Sequence, residues 1–304
     1  MTVAASQAAP RDNVPTGIAL ILASVVMLCT LDAGAKYLGE RYPLLQVVFL
    51  RTLFGTLPVL THAAVLRQWG ELRPRRWWGH LLRGALSLAA MSLFFASLQA
   101  MSLPDATAIF FVAPLMMTAL SVPLLGEQVG ARRWAAVIVG FVGVLIIVRP
   151  GSGIFGWDAL LPMGAALCYT LIVITTRFVG RSETAQAMAL WYALVPIVGT
   201  GAVMPWVWVA PAPLDWLIFL GTGLFGGTGI LLMSFAYRFA PVGALAPFDY
   251  TALIWAAGYG WLIWSDLPDA WTVAGAAVIA ASGLYIIDRE ARLRSLQAKQ
   301  VARP

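Results

Sequence analysis

The sequence predicts an all-α polytopic membrane protein with ten transmembrane helices. They form two inverted five-helix repeats around a central cavity, with both termini cytoplasmic. Three observations carry this. Of the 304 residues, 60% are hydrophobic and only 11% charged, where a soluble domain carries roughly 25% charged residues. The apolar residues gather into runs of about twenty, long enough to cross a bilayer core as a helix. The runs also fall into two sets of five that resemble each other in layout. An odd number per set turns the second set upside down relative to the first, a common ground plan of secondary transporters.

The predicted spans are 14–38, 44–66, 77–100, 104–125, 131–148, 157–179, 184–208, 214–238, 242–264 and 270–288. They divide the chain into a cytoplasmic N-terminal segment (1–13), a first repeat (14–150), a second repeat (151–288) and a basic cytoplasmic tail (289–304). Residues 1–13 are small and polar, with Pro10 and Arg11. The run after them lacks a small-residue cleavage site, so it reads as a retained helix. Most connections are short, which makes successive helices antiparallel neighbours. The third span opens on Trp77 and Trp78, and Trp206, Trp208, Trp264 and Trp271 also lie near span ends, as interfacial anchors do. Leu28-Cys29 in span one matches Leu167-Cys168 in span six. Span four, DATAIFFVAPLMMTALSVPLLGEQVG from Asp105, matches span nine, GALAPFDYTALIWAAGYGWLIWSDLPD from Gly243, so that Glu127 and Asp266 take the same place past the helix end. Spans five and ten close on VGVLIIVRP and ASGLYIIDR. Gly221 to Gly226 in span eight satisfies a dinucleotide-binding pattern, but no strand precedes it. Gly223 and Gly227 read instead as a small-xxx-small packing pair.

The net charge of +6 comes from basic residues in short loops and the tail, with no basic and aromatic patch of the kind that tracks nucleic acid. Counted by side, one face holds Arg11, Arg67, Arg73, Arg75, Arg76, Arg132, Arg133, Arg177, Arg181, Arg238 and the tail, and the other only Arg41 and Arg149. The positive-inside rule makes the first face cytoplasmic. Cys29 and Cys168 both lie inside apolar runs, which excludes a disulfide framework or zinc site as the organising feature.

Charged groups inside spans are costly and mark the first places to look. Asp32 and Lys36 share a helical face four residues apart, and Arg51 lies about two turns into span two. The three would form either a charged cluster at the mouth of a cavity or a structural ion pair. Asp249, beside Tyr250, is a candidate for proton coupling or for holding an amine; a salt bridge to Arg238 or Arg83 is the alternative. Glu127, close to Arg132 and Arg133, fits a loop-ordering salt bridge. Phe94, Phe95, Gln99, Phe110, Phe111 and Tyr169 would line a cavity or face lipid and neighbouring helices. Pro58, Pro114, Pro162 and Pro196 permit kinks, with Pro114 the candidate for gating. His62 and His80 stand alone in the sequence, His80 beside the basic loop in an expected solvated role.

Across residues 14–290 the chain resembles the drug/metabolite transporter superfamily, specifically its EamA-type ten-helix members. The segments that carry the resemblance are YPLLQVVFLRTLFG around Arg51, the span-four segment, and APFDYTALIWAAGYGWLIWSDLPDAWTVAGAAVIAASGLYI. The resemblance implies a basket of ten helices, with a cavity lined by spans one, three, four, six, eight and nine. It places Asp32, Phe94, Phe111, Tyr169 and Asp249 on lining helices and Lys36 at a basic position shared with relatives. It also implies export of amino acids or related metabolites, as in the YddG-like amino-acid exporter branch. S-adenosylmethionine, riboflavin or a drug-like amphiphile is the alternative substrate, and an intramembrane lipid-modifying enzyme the alternative class. The expected surroundings are a bacterial inner membrane, a small-molecule metabolite and protons as a candidate coupling ion. No cofactor, metal or nucleic acid is expected, and the protein would act as a monomer or homodimer.

Overall fold

The computed structural model describes residues 13–65, 70, 74–127, 129–149, 156–179, 183–240 and 242–301. Residues 1–12, Arg67, Arg73, Arg181 and the side chains of the tail beyond Arg289 lie outside what is described. Among the described residues the chain is helical throughout: α1 (Val14–Gly39), α2 (Leu44–Val65), α3 (Trp77–Ala100), α4 (Leu103–Phe110), α5 (Ala113–Leu125), α6 (Ala131–Val148), α7 (Leu160–Val179, entered by a 3-10 turn), α8 (Ala185–Gly201), α9 (Met204–Val207), α10 (Pro213–Phe239), α11 (Val242–Asp249), α12 (Ala252–Trp264) and α13 (Ala270–Val301). Eight helices are long and apolar enough to cross a membrane, counting Leu103–Leu125 as one. The predicted spans 184–208 and 242–264 are the two outside this count, although 104–125 is interrupted as 242–264 is. The first stops after 17 residues at Gly201, and the second is broken between α11 and α12.

Two breaks share one design. α4 has 8 residues and α5 has 13; α11 has 8 and α12 has 13. Phe111-Val112 interrupt the first pair and Tyr250-Thr251 the second. Both second halves end on a left-handed residue, Gly126 (φ 68°, ψ 21°) and Ser265 (φ 60°, ψ 21°). Each end is closed by the same two backbone bonds. Gly126 N–H reaches Val122 O at 3.1 Å and Glu127 N–H reaches Ser121 O at 3.3 Å; Ser265 N–H reaches Trp261 O and Asp266 N–H reaches Gly260 O, both at 3.0 Å. Glu127 and Asp266 therefore sit at equivalent backbone positions.

Packing follows the same correspondence. α1 lies along α10 as α7 lies along α3; α2 meets α10 as α8 meets α3; α6 packs on α13, and α4 on α12. The closest approaches use glycine. A Cβ on Gly275 would stand 2.6 Å from Gly143 O, and one on Gly143 2.9 Å from Gly275 O, so α6 and α13 touch backbone to backbone. On α10, a Cβ on Gly223 would come within 2.8 Å of Arg51 O and Gly55 N, and one on Gly227 would enter the Gly55 carbonyl. This glycine run is a packing surface between α10 and α2.

Gly227→Val is expected to lower the melting temperature of the detergent-solubilised protein by several degrees. Overpacking costs about 1–3 kcal/mol, and a backbone carbonyl cannot rotate aside as a side chain would. Gly258→Ala, where a Cβ meets nothing within 4 Å, should melt as the wild type does. Equal melting of the two variants would contradict the packing assigned to Gly227.

Candidate functional site

The α1–α2 turn is bonded to the chain entering α10. Tyr42 Oη donates to Asp215 Oδ2 at 2.6 Å and accepts the Ala212 N–H at 3.0 Å. Arg41 Nη1 stands 3.5 Å from Asp215 Oδ1. Gln46 mimics a strand partner, donating to Val209 O at 2.7 Å and accepting Val209 N–H at 2.9 Å. Asp215 is only 3% exposed, and its place in the first turn of α10 lets the helix N-terminus stabilise its charge. Around the same end, Trp264 Nε1 donates to Glu40 (2.5 Å), Thr272 Oγ1 donates to Asp105 (2.7 Å), and Arg149 pairs with Asp269 (2.6 Å).

Two predicted cavity residues belong to this end rather than to the bundle centre. Lys36 Nζ donates to Met101 O at 2.9 Å and lies 5.1 Å from the Trp264 ring centre. The carbonyl where α3 ends has no helical partner of its own, so the ammonium is satisfied there and does not pair with Asp32. Gln99, in the last turn of α3, donates to Gly39 O at 3.2 Å and ties the ends of α3 and α1 together.

At the opposite end Glu183 holds the start of α3. Its carboxylate accepts the Arg75 N–H with both oxygens (2.9 and 3.0 Å) and the Arg76 N–H at 2.5 Å. Its Oε2 lies 3.2 Å from His80 Nε2. His80 is 0% exposed and 5.9 Å from the Trp191 ring, so the expected solvated role gives way to a buried one: Glu183 and α8 fold over it. Burial pushes the Glu183 carboxyl up, but the Arg75 N–H, His80 and the Arg76 N–H together outweigh it and hold it below its usual range. A depressed carboxyl stabilises the fold above its unfolded pKa and loses that contribution as pH falls through the folded one. The difference in melting temperature between wild type and Glu183→Gln should therefore be full at pH 7 and shrink below pH ~4. A difference that stays constant down to pH 3 would contradict this.

Between the two ends, aromatic rings and charged groups from several helices meet. Arg51 on α2 lies 5.3 Å from the Phe95 ring on α3. From there Phe95 and Phe94 (6.2 Å), Phe94 and Phe110 (5.2 Å), and Phe110 and Tyr169 (5.7 Å) form a ladder across α3, α4 and α7. Tyr169 keeps 38% of its surface accessible yet has Phe110 against its ring, with Tyr192 on α8 and Asp249 on α11 within electrostatic range. Tyr169 thus keeps accessible surface while its ring packs against α4. Asp32 is within electrostatic range of Arg51, and Tyr192 of both Arg51 and Arg83. No ion pair closes between Asp32 and Arg51, nor from Asp249 to Arg83 or Arg238. Arg51 Nε, Arg83 Nε and Nη1, Asp249 Oδ1 and Tyr250 Oη are buried without a hydrogen-bond partner.

The helix breaks meet at this centre. Phe111 and Tyr250, the first residues of the two interruptions, stack at 4.8 Å and 26°. Each following half is held by a side chain from the other set of helices: Thr170 on α7 donates to Ala113 O at 3.2 Å, and Cys29 on α1 to Ala252 O at 3.7 Å. Pro114 occupies the first turn of α5, where a missing N–H costs little, so the interruption falls just before it. Asp32, Arg51, Phe94, Phe111, Tyr169, Asp249 and Tyr250 thus gather around the bundle centre. Tyr42, Asp215, Glu183 and Tyr192 carry no local motif; only the fold reveals them.

The EamA-like transporter family profile matches residues 15–149. The S-adenosylmethionine uptake transporter of Rickettsia bellii is 30% identical over 280 residues, which cover 92% of this chain and 96% of that protein. The riboflavin transporter of Rhizobium johnstonii is 31% identical over 217 residues, covering 71% and 72%. A crystal structure at 16% identity superposes with a TM-score of 0.65 over 90% of this chain and 98% of its own, a likeness of fold alone. The named relatives move S-adenosylmethionine and riboflavin, and so do not support the amino-acid exporter branch expected from the sequence.

Proposed function

The chain belongs to the EamA-like transporter family, and from that premise we propose that it carries a small metabolite with a flat heteroaromatic ring across the bacterial inner membrane by alternating access. It is a multi-pass membrane transporter rather than an enzyme. The observation that carries the substrate class is the ladder Phe94–Phe110–Tyr169, flanked by charged groups with buried atoms that make no hydrogen bond. Rings of this kind stack on planar heterocycles, and the charged groups fix orientation. S-adenosylmethionine and riboflavin, carried by the relatives, both bear such a ring. In this reading α8–α9 and α11–α12 complete ten spans, and the matched breaks at Phe111 and Tyr250 support two inverted repeats. The excess of arginine on one face supports cytoplasmic termini and puts the α1–α2 turn outside. Alternating access then opens and closes the Tyr42–Asp215 and Gln46–Val209 bonds.

Liposomes holding the purified protein should take up radiolabelled S-adenosylmethionine or riboflavin faster than empty liposomes. Uptake of amino acids alone would return the substrate to the exporter class. No movement of any of these solutes would contradict the proposal.

A further inference from the structure

We propose that Arg51 and Arg83 form an oxyanion handle, so that the carried metabolite bears a carboxylate or phosphate bound by these guanidinium groups along the cleft. This deepens the function proposed above and rests on it. Arg51 is 9% exposed and Arg83 7%. Neither has an ion-pair partner among the described residues, and both bury an Nε without a hydrogen bond, as Arg83 does Nη1. A buried guanidinium in a membrane protein is costly unless something supplies the negative charge. Arg83 lies in the second turn of α3, from which a long side chain could reach the lipid headgroups. Its burial and its proximity to Tyr192 on α8 instead turn it into the bundle. Both arginines project from helices that pack against α8, the helix that carries Tyr192. Asp32, the acid in range of Arg51, closes no ion pair with it. A planar fork of donors matches a carboxylate or phosphate bidentately, which an ammonium does not. The ladder that begins at Phe95, beneath Arg51, places the ring of the same ligand beside its anionic group.

Two matched pairs of probes test this by calorimetry on the purified protein. S-adenosylmethionine and its decarboxylated form differ by a carboxylate; flavin mononucleotide and riboflavin differ by a phosphate. In one pair the anionic member should bind at least about tenfold tighter, and the pair that shows it identifies the group. Arg83→Gln and Arg51→Gln should reduce the ratio within that pair to below about threefold, and Arg83→Lys should retain part of it. If a glutamine variant fails to melt cooperatively, the wild-type ratio and the lysine variant decide. Equal binding within both pairs in the wild type would remove the handle while leaving the transporter reading intact, and a ratio that survives both glutamine substitutions would do the same. No binding of any of the four probes would overturn the handle together with the proposed substrate class.

Discussion

Tyr42→Phe is expected to loosen the α1–α2 turn end and shift the protein toward a conformer open there. The Tyr42 hydroxyl is the shortest contact to Asp215 and also receives the Ala212 N–H. Without it the buried carboxylate keeps only Arg41, at 3.5 Å and with half its side chain exposed. Losing a donor to a buried charged acceptor costs about 1–3 kcal/mol, which corresponds to a roughly 5–150-fold change in a two-state ratio. A single cysteine at Val47, which is 1% exposed beside the α1–α2 turn, in a background lacking Cys29 and Cys168, should react several-fold faster with a membrane-impermeant thiol reagent in the Tyr42→Phe protein. Asp215→Ala should give the same increase, and the double variant no more than either alone, because one bond is being removed twice. Unchanged labelling with an unchanged melting temperature would mean that these bonds do not hold the end closed.

The second large effect is expected at the aromatic ladder. Tyr169→Ala should raise the concentration for half-maximal uptake about tenfold or more, since stacking one heterocycle on one ring is worth about 1–3 kcal/mol. Tyr169→Phe keeps the ring face and should stay within about threefold. Phe110→Ala should behave as Tyr169→Ala does, because the two rings stand 5.7 Å apart in the same ladder. An alanine variant with unchanged half-saturation would remove Tyr169 from the substrate path. A phenylalanine variant as impaired as the alanine one would show that the hydroxyl, not the ring, matters.

What the sequence made legible follows from what is local in it. Run length and composition are local, so the helical membrane class was readable, and eight of ten runs form helices long enough to span. The shortened α8 and the break at Tyr250 were not readable, because apolar composition continues through both. The correspondence of Glu127 with Asp266 was visible because a helix cap repeats as a local pattern, and the two residues do close the same cap geometry. Contacts across the bundle were hidden. Tyr42 finds Asp215 across 173 residues and Arg75 finds Glu183 across 108, and no spacing rule reaches that far. Lys36 shows the limit of helical spacing: four residues from Asp32 puts it on the same face, yet the freed carbonyl at Met101 decides where its ammonium goes.

We propose that one cleft at Tyr169 and Arg51 is presented alternately to the two sides of the membrane. Counterflow tests it most directly. Liposomes holding the purified protein are loaded with unlabelled S-adenosylmethionine or riboflavin and diluted into a trace of the labelled solute. A carrier that turns around loaded predicts transient accumulation of label above its equilibrium level, followed by decay. Label that rises to equilibrium without overshoot, at the same rate with empty and loaded liposomes, would contradict it.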